Sequence, residues 1–79
     1  MDKMLKKKDR VYQAKIIPGI EYSVNELKIR TVEDGWYVGV DKRTKHASLF
    51  YDKDIGATIF DKREDALETV REAEKSRED

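Results

Sequence analysis

The sequence predicts an α+β domain: a small, strongly bent antiparallel sheet or SH3-like β-barrel of four to five strands, followed by one C-terminal helix. Three observations predict it. Twenty-three of the thirty apolar residues, and all seven aromatic ones, lie between Val11 and Phe60. In that stretch apolar and polar residues alternate with a period of two, and fourteen Val, Ile and Thr favour extended chain. After Phe60 the apolar spacing changes to that of a helix.

The elements follow in order. Residues 1–9 carry a basic run, Lys6-Lys7-Lys8, and read as a frayed tail. Arg10 to Ile17 sets Tyr12, Ala14 and Ile16 on one face of a strand. Pro18-Gly19 breaks it with a turn. Residues 18–24 read either as a loop or as a short alternating edge strand. From Asn25 to Val32, Leu27 and Ile29 face one way and Glu26, Lys28 and Arg30 the other, as in a sheet with one wet face. Glu33-Asp34-Gly35 is a hairpin turn in which glycine supplies positive φ. Trp36, Val38 and Val40 then share a face opposite Tyr37 and Gly39, and the mid-strand glycine marks a bulge or bend. The polar run Asp41–Lys45 is a second hairpin tip. Ala47, Leu49 and Tyr51 alternate in the next strand, and Ile55-Gly56-Ala57 turns into a last one, Thr58 to Phe60. Residues 10–60 thus form the β domain.

The helix occupies residues 61–76, with 77–79 frayed. Asp61 and Glu64 have capping-box spacing. Ala66, Leu67, Val70 and Ala73 make one narrow apolar stripe, with Leu67 and Val70 expected to dock on the sheet. Glu68–Arg71 and Glu72–Lys75 are opposite-charge pairs on the wet side.

The stretch Asp54-Ile55-Gly56-Ala57-Thr58-Ile59-Phe60-Asp61-Lys62-Arg63-Glu64-Asp65-Ala66 resembles a pattern, D-I-G-K-T-V-F-L-T-R-E-E-A, that ends many small proteins of Gram-positive bacteria and their phages. Ile55, Gly56, Thr58, Phe60, Arg63, Glu64 and Ala66 stand at the matching positions. Ala57 replaces a common Lys, and Lys62 stands where the group has a helix-capping Thr, which moves the expected cap to Asp61. The resemblance implies a small β-rich domain with a C-terminal helix, often encoded on mobile elements. It implies no activity.

Composition excludes several functions. At 79 residues the chain is too short for two domains or a large α/β enzyme. No apolar run approaches the roughly 20 residues of a membrane span, so no membrane partner is expected. The charged start lacks the apolar core of a signal peptide, and a cytoplasmic location is expected. Without Cys there is neither a disulfide framework nor a thiolate metal site. His46, the one histidine, would need partners such as Asp52 and Asp54 to hold a metal, and reads as an ordinary strand-start residue. Ser23, Ser48 and Ser76 lie in no nucleophile motif, and the glycines make no phosphate loop. The chain therefore reads as non-enzymatic, with no metal and no cofactor.

Charge points to partners. Seventeen basic and seventeen acidic residues cancel. Yet residues 1–53 hold twelve basic and eight acidic groups, a net +4, and residues 54–79 hold five and nine, a net −4. The first expectation is a non-catalytic protein-interaction module. An alternative is a nucleic-acid-binding barrel that combines aromatic and basic residues Trp36, Tyr37, Lys42, Arg43 and Lys45. A further alternative uses the acidic helix face, Glu64, Asp65, Glu68 and Glu72, to inhibit a host nucleic-acid-binding or defence protein. The ordinary reading of each is a core tryptophan, a solvated hairpin tip and a solvated helix face.

Overall fold

Two strands carry apolar residues on both faces, and this sets the architecture. A computed structural model describes residues 5–77; the first four and last two residues of the expected tails lie outside the described residues. Five antiparallel strands, β1 (Arg10–Ile17), β2 (Glu21–Val32), β3 (Trp36–Asp41), β4 (Ala47–Tyr51) and β5 (Ile59–Phe60), form one curled half-barrel sheet in the order β4-β3-β2-β1-β5. The helix α1 (Arg63–Arg77) follows. Of the two predicted forms, the bent sheet is the one adopted: β4 and β5 are its two ends and do not pair with each other.

The inner layer lies in the curl of the sheet. It contains Val11, Leu27, Ile29, Tyr37, Phe50 and Ile59, flanked by Leu5, Val32 and Ile55. Burying Leu27, Ile29, Ile59 and Val11 contributes about 1.5–3 kcal/mol each. The outer layer is smaller. Ala14 of β1 meets Ala66 and Val70 of α1, with Tyr12, Ile16, Tyr22, Val24 and Phe60 around them. Ala66 is fully buried and Leu67 only half-buried, so the contact expected of Leu67 and Val70 centres on Ala66 and Val70. Two alanines facing each other let the helix lie close to the sheet.

Residues 21–24, expected as loop or edge strand, are the first third of β2, the longest strand and a central one. Ile20 donates its N–H to the Ile17 carbonyl at 2.8 Å across Pro18-Gly19, and Gly19 has φ +78°, which is the type II arrangement. The register of β2 on β3 slips between Ile29 and Thr31, which makes Arg30 the extra residue of a bulge. Without it Val32 would fall on the outer face; with it Val32 returns to the inner layer. Gly39 pairs with Ile29 at the bulge, so the irregularity expected at the glycine sits on the neighbouring strand. A Cβ at Gly39 would stand 3.0 Å from Leu27 Cβ and 3.2 Å from its Cδ1, which explains the missing side chain.

Residues 5–9, expected as part of a frayed basic tail, are bonded to the central strand β2. The Lys8 N–H donates to the Ile29 carbonyl and the Asp9 carbonyl accepts from the Ile29 N–H, each at 2.8 Å. Leu5 packs against the inner layer. Among the described residues no helix is long and apolar enough to cross a membrane.

Candidate interaction surface

The helix covers only half of the outer face. It packs on β1, β2 and β5. The outward side chains of β3 and β4 remain bare, and they form cross-strand pairs: Trp36 with Tyr51, Val38 with Leu49, and Val40 with Ala47. Leu49 is 53% and Tyr51 48% exposed, while Trp36, Val38 and Val40 are half-buried. Lys28 of β2, opposite Val40, borders this apolar ladder and is exposed, as is Arg30 at the bulge. The Lys53 ammonium lies 6.0 Å from the centre of the Tyr51 ring. An apolar patch with a cationic border is what a docking surface offers.

Of the expected binding residues, Trp36 lies on this patch and Tyr37 does not. Neighbours in a strand point to opposite faces, and Tyr37 is 6% exposed in the inner layer. Its ring stacks on Phe50 at 5.3 Å, and its hydroxyl donates to Asp52 at 2.7 Å. That hydrogen bond, then burial and the Asp52 charge, raise the phenol above its ordinary pKa. Tyr37 is therefore a core post, correcting its place in the expected binding set.

Lys42, Arg43 and Lys45 are exposed at the β3–β4 tip, beside the patch. Asp41 shapes this tip. Its Oδ1 accepts the Arg43 N–H at 2.7 Å and the Thr44 N–H at 3.0 Å, and its carbonyl accepts from Lys45 at 2.9 Å. The Thr44 bond above all holds the Asp41 carboxyl below its ordinary pKa, against the opposing effect of burial. Lys45 adopts φ +66°, a left-handed conformation that the tight tip requires. Lys42 is partly neutralised: Glu26 lies 4.0 Å from its ammonium and 3.5 Å from the Arg10 guanidinium. A shallow groove of about 400 Å³ at this corner is lined by Glu26, Asp41, Lys42, Arg43 and Arg63.

The expected acidic residues Glu64, Asp65, Glu68 and Glu72 are exposed along α1. Among the described residues the ion pairs are Arg10–Glu26, Lys15–Glu21 and Lys42–Glu26, none of them on α1, so the expected helix pairs Glu68–Arg71 and Glu72–Lys75 are not formed. His46 is exposed, and no group of three His, Cys, Asp or Glu among the described residues is placed to hold a metal. A cleft of about 750 Å³ lies between Leu5–Val11 and Ile55–Asp65, and its polar lining is Asp9, Arg10, Asp61 and Asp65.

Leu49, Val38, Lys28 and Arg30 were not singled out from the sequence. The signal available was the hairpin register, which brings the Trp36 and Leu49 rows together. No family model, no curated protein and no solved structure matches this chain.

Proposed function

We propose that the protein is a small non-catalytic interaction module that docks a protein partner through the bare half of its outer face. The observation that carries this reading is the ladder of exposed Leu49 and Tyr51 with half-buried Val38 and Trp36, which α1 leaves uncovered in a chain where 43% of residues are charged. The strand order, with the last strand returning to the first, supports reading the sheet as an SH3-like barrel left open on one side. A bacterial, phage or mobile-element origin rests on the Asp54–Ala66 resemblance and fits a small module that acts on host proteins.

A photo-crosslinker placed at Leu49 in cells is expected to trap one defined protein, whereas one at Glu68 traps none. Trp36→Ala is then expected to weaken that partner by about tenfold or more, as an aromatic anchor would. Trapping from Glu68 alone would move the function to the acidic helix face and support the inhibitor reading.

Nucleic acid is the second reading. The observation that favours it is the Trp36–Tyr51 pair with Lys53 over the Tyr51 ring, and Lys28 opposite Val40 further along the same face, an arrangement suited to stacked bases and their phosphates. The zero net charge ranks it below a protein partner. Retardation of single-stranded DNA or RNA that falls steeply with salt, and weakens when Lys42 and Arg43 are both changed to Ala, would establish it.

A further inference from the structure

The free edge of β4 has an unusual composition. Ala47-Ser48-Leu49-Phe50-Tyr51 carries no charge and no proline in a chain where 43% of residues are charged. Exposed edges are ordinarily blunted by such residues, by bulges or by brevity. The other edge, β5, is two residues long, and the bulge lies on β2, away from either edge.

Hydrogen-bond alternation shows which groups face outward. Asp41 donates to the His46 carbonyl, and Asp52 to the Gly35 carbonyl, so the bonded partners across the β3–β4 hairpin are the even-numbered residues of β4. Ala47 and Leu49 therefore turn their N–H and C=O groups to the free edge. Tyr51 would do the same, but its N–H is taken by the Asp54 carboxylate at 2.9 Å. Asp54 thus stops the edge at one end and leaves two residues able to pair.

We infer that this edge pairs with the same edge of a second copy, antiparallel and centred on Ser48. That register sets Ala47 against Leu49 of the second copy and Leu49 against its Ala47, small against large, and uses the outward N–H and C=O groups of both residues in both chains. A register centred on Leu49 would instead need the occupied Tyr51 N–H. The outer apolar rows then run on from one copy to the next, Val38–Leu49–Ala47–Val40. Charge favours the same arrangement. The basic tip of one copy, Lys42 to Lys45, comes beside Asp52 and Asp54 of the other, and chains of zero net charge do not repel as a whole. The interface uses the edge and leaves the outer face open, so it stands or falls separately from the docking reading above.

The interface is small, and the expected dissociation constant is on the order of 100 µM. Sedimentation equilibrium of the full chain, from about tenfold below to about tenfold above that value, should show a reversible monomer–dimer equilibrium. Ala47→Pro removes an outward N–H at the first position of an edge strand, where proline is tolerated. It should weaken the dimer at least about tenfold while the thermal melt of the monomer is retained. Leu49→Lys, at a half-exposed site, should do the same, and Glu68→Lys on α1 should leave the dimer intact. A chain that stays monomeric throughout, or a dimer that survives both edge variants, would overturn the inference.

Discussion

Asp41 is the residue whose titration should be visible in the stability of the whole chain. Its carboxylate is held charged by the N–H groups of Thr44 and Arg43, and so takes up a proton less readily in the folded state than in the unfolded one. The unfolded chain therefore binds more protons as the solution becomes acid. The contribution is fully present above the ordinary carboxylate range and is lost as pH falls through the lowered folded value. Asp41→Asn keeps an acceptor oxygen for the turn but cannot ionise. We expect it to cost about 1 kcal/mol at pH 7 and to flatten the acid limb of stability, as measured by urea unfolding at pH 7 and pH 3. An unchanged acid limb would mean that other carboxylates set it. Tyr37 and Trp36 show what the residue scale hides from sequence. Alternation puts these neighbours on opposite faces, but it does not say which face is dry. The stacking of Tyr37 on Phe50 and the contact of Gly39 with Leu27 decide that, and both depend on pairings between strands.

At the scale of elements, α1 begins without a good cap. The first helical residue is Arg63, and the Ala66 N–H points to the Lys62 carbonyl at 3.4 Å. Lys62 thus occupies the N-cap position, not Asp61 as the spacing suggested, and lysine has no acceptor for the free N–H groups of the first turn. Lys62→Thr or Lys62→Asp should stabilise the chain by about 0.5–2 kcal/mol, read from the melting temperature. No gain from either would place the cap elsewhere. The hairpins and α1 were legible because each is a local pattern closed by a local signal. Gly35 and Gly56 do have positive φ, and the helical period holds from Ala66 to Val70. The length of β2 was not legible. Tyr22 and Val24 face the helix, whereas Leu27 and Ile29 face the inner layer, so the apolar phase switches within one strand. A phase switch resembles a loop until the second covering layer is known.

For the whole molecule, the two layers are unequal and share only β1, β2 and β5. The large buried side chains, Leu27, Ile29, Ile59 and Val11, all belong to the inner layer, and α1 is held mainly by Ala66 and Val70. Losing the helix therefore exposes far less apolar surface than opening the sheet. Native-state hydrogen exchange should find the α1 amides opening at lower free energy than those of Leu27 and Ile29, in two separable groups. A single shared opening energy would show that the layers unfold as one. The bare patch proposed for docking was half legible. Trp36 and the basic tip stood out in the sequence, but the bareness of Leu49 depends on where α1 stops, which no local pattern records. The ties from Lys8 and Asp9 to Ile29 carry a mechanical consequence. They fix the start of the described chain to the central strand, while its other end is a helix held by one small contact. Under tension between the ends, force reaches the chain at β2 and at α1, and the weaker attachment gives first. The helix and then the two-residue β5 would peel away, leaving β1 to β4 as a four-stranded meander that is the last part to yield.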